Sequence, residues 1–211
     1  MIRPQVIYRS ALCGGALAYS SGMVSEAAAG WKLDPRITLL SELAARDRAG
    51  RRIFQAADVV AGTLFLAASA VRQHPSARPL RCSLAVLGAA TIADALSPLD
   101  YPISHEHLRP AYRGGQGSSS ISHRAHYVTT GVAGFAIAAI CLLDWRAQRR
   151  GTAALRKVAG PAVVFGQLAG LAALASPRLA PGLVQRVQTL GFTLVCLDLA
   201  RRGVAPPHPG L

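Results

Sequence analysis

Two histidines, His123 and His126, stand three residues apart at the start of an apolar run. On a helix that spacing carries both imidazoles on one face. Just upstream lie Asp94, Asp100, Glu106 and two more histidines, His105 and His107. The stretch 94–126 therefore holds four of the chain's six histidines and three of its ten acids. Imidazoles beside carboxylates can hold zinc or another transition metal, whose bound water becomes a nucleophile near neutral pH. They can equally pair with one another in a structural hydrogen-bond network. The residues placed to form a metal site are His123, His126 and Asp94. The wider polar set adds Glu42, Asp58, Asp100 and Arg186. Arg186 has the chemistry to clamp a phosphate or carboxylate, or to balance the charge of Asp58 or Asp94.

Composition says what must position these groups. Only 16% of the 211 residues are charged and 51% are hydrophobic, against about 25% charged in a soluble domain. The net charge is +13, and 21 of the 23 basic residues are Arg. They fall in short clusters between apolar runs, as membrane-flanking charges do. No basic stripe interleaved with aromatics is present, so nucleic acid is not an expected partner. Cys13, Cys82, Cys141 and Cys196 lie far apart with no CxxC spacing, and read as small apolar residues.

Six apolar stretches, at about 10–31, 53–71, 82–101, 123–143, 158–176 and 183–199, approach the length of about 20 residues that a spanning helix needs. The predicted fold is therefore all-α, a polytopic bundle of six transmembrane helices in one domain. The first stretch is rich in Gly and Ser. It reads as a retained helix rather than a cleaved signal peptide. Residues 32–52 read as a short amphipathic helix lying at the interface, with a solvated loop as the alternative. Residues 102–122 read as a long loop and 203–211 as a tail. Pro161 falls in the first turn of the fifth stretch, where proline is tolerated. The basic clusters at 72–81 and 144–157 place the termini on the cytoplasmic side of the cell membrane.

Adjacent spans alternate in direction. Glu26, Asp58, Asp94, His123, His126 and Arg186 then all fall at span ends in one leaflet. An ionisable group at the centre of a spanning helix costs about 2.5–3.5 kcal/mol. Asp58 and Asp94 are off-centre, and the economical arrangement turns them into the bundle, where His or Arg can pair with them. Asp144 and Asp198, at the other ends, stand next to arginines and are explained as paired or solvated there.

The motifs ITLLSELAA, IFQAADVVAG, SPLDYP, SHRAH and LVQRVQ, in that order, resemble the bacterial six-span membrane family called domain of unknown function 998. The resemblance covers roughly residues 8–202. It maps the family's Ser-Glu-Leu element onto Ser41, Glu42 and Leu43, its proline-acid element onto Pro98 and Asp100, and its histidine onto His123 and His126. The stretch HEHLRPAYRGGQGSSS is longer than the family pattern implies. The resemblance implies an integral membrane protein of unsettled activity. A looser likeness joins it to membrane hydrolases of the alkaline ceramidase type, which bind zinc through Ser, Asp and His at a different histidine spacing.

Three functions fit these residues. The first is a non-catalytic membrane protein that binds lipid or organises other membrane proteins around its polar cluster. The alternative is a metal-dependent membrane hydrolase, with zinc on the Asp/His cluster and Ser41 or Glu42 assisting. A small transporter ranks third, because the chain lacks a matched pair of Gly/Pro-broken helices.

Overall fold

The computed structural model describes residues 3–30, 33–72, 74–104, 119–148, 154–173 and 177–203, and these hold helices and no strand. Six long helices follow one another: α1 Pro4–Ala28, α2 Arg51–Ala70, α3 Arg78–Leu96, α4 Ile121–Gln148, α5 Ala154–Ala173 and α6 Pro181–Arg202. Their starts are written locally. Pro4, Pro79 and Pro181 sit in first turns, where the missing N–H costs nothing. Ser120 caps α4, its Oγ accepting from the His123 N–H at 3.1 Å. Gly203 ends α6 at φ 65°, a left-handed conformation suited to glycine.

Four helical stretches are long and apolar enough to cross a bilayer, namely Arg51–Ala70, Pro75–Leu96, Ile121–Ala147 and Pro181–Arg202. Val158–Ala172, within α5, is apolar but shorter. The 25 residues of α1 give it the length to span, and it turns Val6, Ile7, Leu17 and Val24 outward. The chain is a helical membrane protein.

Each helix packs against the next, and α6 returns onto α1, so the six form a ring. Small residues allow the closest approaches. A Cβ on Gly62 of α2 would lie 2.6 Å from the Gly88 oxygen of α3, and one on Gly88 would lie 2.6 Å from the Gly62 oxygen. Neither position tolerates a side chain at that separation. Tyr19, Phe65 and Phe192, from α1, α2 and α6, meet at centroid distances of 6.0–6.2 Å, and the last two are fully buried.

Three local expectations change. Residues 40–44 form a 3-10 turn rather than an amphipathic helix. Leu39, Leu43, Ala44 and Ala45 are buried against the bundle end, because the segment is tied down at both sides. The Arg46 N–H donates to the Leu99 carbonyl at 2.9 Å, and the Gly182 N–H to that of Arg36 at 2.8 Å. Pro161 lies inside α5 rather than in its first turn, since that helix begins at Ala154. The predicted loop 102–122 is shorter at its far end, where α4 begins at Ile121. His105, Glu106 and His107 lie outside the described residues.

Candidate functional site

Apart from Asp58, the polar residues of the candidate set fall into three networks at one end of the ring. The first is a clasp around Arg186. Its Nη2 and Nε donate to Glu26 Oε2 at 2.5 and 3.2 Å. Its Nη1 donates to the carbonyls of Pro35, Thr38 and Gly182 at 2.7–2.9 Å. Both side chains are buried. The expected partners of Arg186, Asp58 and Asp94, are thus replaced by Glu26, because α6 packs on α1 rather than on α2 or α3. All three guanidinium nitrogens are thus engaged by the protein. Glu42, also fully buried, extends the same end. Its carboxylate accepts from the backbone N–H of Leu39 at 3.0 Å and of Ser104 at 2.6 Å, and from the Ser104 hydroxyl.

The second network centres on His123. Its Nδ1 accepts from the Asp100 N–H at 3.1 Å, which assigns its proton to Nε2, 3.3 Å from the Tyr127 hydroxyl. Tyr101 packs on the ring at 4.8 Å between centroids. The Asp100 carboxylate accepts from the Ser120 N–H at 2.8 Å and its hydroxyl at 2.7 Å, with Arg46 Nε at 3.6 Å. Burial opposes the charge on Asp100. The Ser120 donors and the Arg46 guanidinium outweigh it and hold the carboxyl below the usual carboxylate range.

The third network is Asp94 with His126. Asp94 Oδ1 accepts from Thr129 Oγ1 at 2.5 Å and Thr130 Oγ1 at 2.9 Å. His126 Nδ1 lies 3.2 Å from the same oxygen and 3.1 Å from the Ser97 carbonyl. Both neighbours are acceptors, so Nδ1 carries the proton. Nε2 of His126 is buried and finds no partner among the described residues. His123 and His126 therefore serve different networks despite their common face. Among the described residues, no group of three His, Cys, Asp or Glu side chains gathers as a metal ion requires.

Asp94 and His126 face a cavity of about 560 Å³ enclosed by all six helices. Asp58 lines it as well, within electrostatic reach of Asp94, and makes no hydrogen bond or ion pair among the described residues. Thr130, Gln167, Gln185 and Gln188 add neutral polar groups, and Tyr19 and Phe192 form an aromatic wall. Leu39, Leu40 and Ser41 of the 3-10 segment cover one end. The Leu40 N–H donates to Gln185 Oε1 at 2.7 Å, fixing that cover to α6. Phe135 of α4 and Leu168 and Leu171 of α5 line the cavity too, yet each is more than 60% exposed. These side chains put the α4 and α5 part of the wall at the outer surface of the bundle, where a bilayer would lie, and Gln167 Nε2 of α5 donates there to the Gly134 carbonyl of α4 at 3.2 Å.

At the opposite end, Arg202 Nη2 meets Asp144 Oδ1 at 2.5 Å and its Nε meets Asp198 Oδ2 at 2.9 Å. These acids are paired, as expected from their neighbours, although the arginine comes from α6.

Residues 12–202 match the family described as protein of unknown function DUF998. The chain belongs to this family. No curated protein and no solved structure is matched. Within this DUF998 chain, Thr129, Thr130, Ser104 and the three cavity glutamines were not singled out from sequence. Thr129 and Thr130 stand three and four residues after His126, the helical spacing that could have pointed to them.

Proposed function

We propose that this DUF998 protein binds a lipid or lipid-like amphiphile within the bilayer, without catalysing its conversion. The observation that carries this is that the 560 Å³ cavity is lined by Phe135, Leu168 and Leu171, which are also exposed on the outer surface of α4 and α5. Its volume falls within the range of about 300–1,000 Å³ typical of small-molecule sites. The exposed edge is apolar, and the polar groups lie inside among buried apolar ones such as Ile137 and Phe192, an arrangement that suits an amphiphile entering from the hydrocarbon with its head inward. The glutamines, Thr130, Asp58, Asp94 and His126 receive the head, and Phe135, Leu168 and Leu171 receive the chain. In this reading all six helices span the cell membrane, α1 being held by α2 and α6, and the termini face the cytoplasm.

Photo-crosslinking tests it. A diazirine-bearing lipid incorporated with the purified protein is expected to label peptides from α4 and α5 containing Phe135 and Leu168. Labelling spread evenly over the outward faces of α1 and α3, with no preference for these peptides, would overturn the reading.

A further inference from the structure

The interior of the cavity carries an unbalanced set of charges. Two carboxyl groups, Asp58 and Asp94, line it, and no Arg or Lys does among the described residues. Arg186, the cation nearest in sequence to the lining residue Gln185, is consumed by Glu26 and three carbonyls. Asp94 is already served by two hydroxyls and the His126 N–H, whereas Asp58 has no such partner among the described residues. The second unfilled group is Nε2 of His126. The His126 side chain is only 6% exposed, and Nε2 lacks any hydrogen bond among the described residues. With the proton on Nδ1, neutral His126 presents at Nε2 a lone pair that awaits a donor. An unpartnered carboxylate and an unpartnered acceptor in a low-dielectric site call for a ligand that supplies positive charge and N–H groups. They repel a phosphate, which brings further negative charge and acceptor oxygens.

We propose that the cavity selects amphiphiles whose polar end is a protonated amine, with the Asp58 carboxylate as counter-ion and Nε2 of His126 accepting an N–H. This rests on the lipid-binding reading above and narrows it to one headgroup class. A primary ammonium suits the site because its three N–H donors can serve both groups while its charge offsets Asp58. A neutral alcohol supplies one donor and no charge, and so stands between amine and phosphate.

The test uses the purified full chain in detergent at neutral pH. Dodecylamine, dodecanol and dodecyl phosphate are added at equal mole fraction in the micelle, and the bound species are counted by native mass spectrometry. A charge-assisted hydrogen bond contributes about 1.5–3 kcal/mol, so the amine is expected to bind at least about tenfold more tightly than the phosphate. Asp58→Asn is expected to bring the two within about threefold, less than half of that difference on a free-energy scale, while Asp58→Glu retains the preference. Thermal melting of each variant confirms that it is folded. Phosphate binding equal to or above amine binding, or an unchanged ratio in Asp58→Asn, overturns the headgroup assignment but leaves lipid binding standing. If none of the three amphiphiles binds, the lipid-binding reading fails and this assignment falls with it.

Discussion

Arg186 and Glu26 show how this chain manages charge inside a bundle. Each is affordable only with the other, since the pair is desolvated and the remaining guanidinium donors are taken up by carbonyls. Glu26→Gln leaves a buried arginine without its counter-ion and is expected to cost about 3–5 kcal/mol in denaturation experiments in detergent. The combined Glu26→Gln, Arg186→Met change is expected to cost less than the sum of the two single changes, the sign of coupling. Additive losses would mean that the pair contributes nothing as a pair. Asp100 makes a separate prediction about pH. Its carboxyl is held below the usual range in the folded chain, so the folded state favours the ionised form. That contribution is fully present above the ordinary aspartate pKa of about 3.9 and is lost as pH falls through the lowered folded value. The melting-temperature advantage of the natural chain over Asp100→Asn should therefore be constant above about pH 5 and shrink on further acidification. An advantage that grows on acidification would contradict the assignment.

At the scale of elements, the α2–α3 crossing depends on two glycines whose added Cβ would sit 2.6 Å from the facing carbonyl. Gly62→Ala must push the helices apart, and is expected to destabilise by about 1–3 kcal/mol. Gly131→Ala meets nothing within 4 Å and should be neutral, so comparing the two melting curves separates crowding from loss of a glycine as such. Helix existence and direction were legible in the sequence because apolar length sets them. The gathering of Glu26, Asp94, His126 and Arg186 at one end followed from alternation alone. Which acid meets which base was not legible. Arg186 finds Glu26 across 160 residues of chain, a choice fixed by α6 closing the ring onto α1. Glu42 was singled out, but its burial and its partner were hidden for a similar reason. Its partner Ser104 is 62 residues away, and the mixed charge of 32–52 suggested an exposed segment. Buried Leu39 and Leu43 on either side are the signal that it turns inward. The spacing of His123 and His126 suggested one shared site. The helix does bury both, but Asp100 and Asp94 approach from different points beyond and within α3, and split them.

For the whole molecule, the ring of six helices explains how a cavity holding a few polar groups persists in a membrane protein. The Glu26–Arg186 clasp and the Glu42 segment close one end, the Arg202–Asp144 pair ties helices at the other, and the cavity wall on α4 and α5 carries the exposed Phe135, Leu168 and Leu171. Gly131 lines this space with no heavy atom within 4 Å of an added Cβ, so a large side chain there adds bulk at the cavity wall with no clash at its Cβ. The central claim is that the cavity holds an amphiphile, and the most direct measurement counts the amphiphiles that co-purify with the full chain and with Gly131→Phe by native mass spectrometry. The account predicts one retained amphiphile per natural chain, and its loss from Gly131→Phe with the melting temperature preserved. Equal retention by both proteins would contradict it.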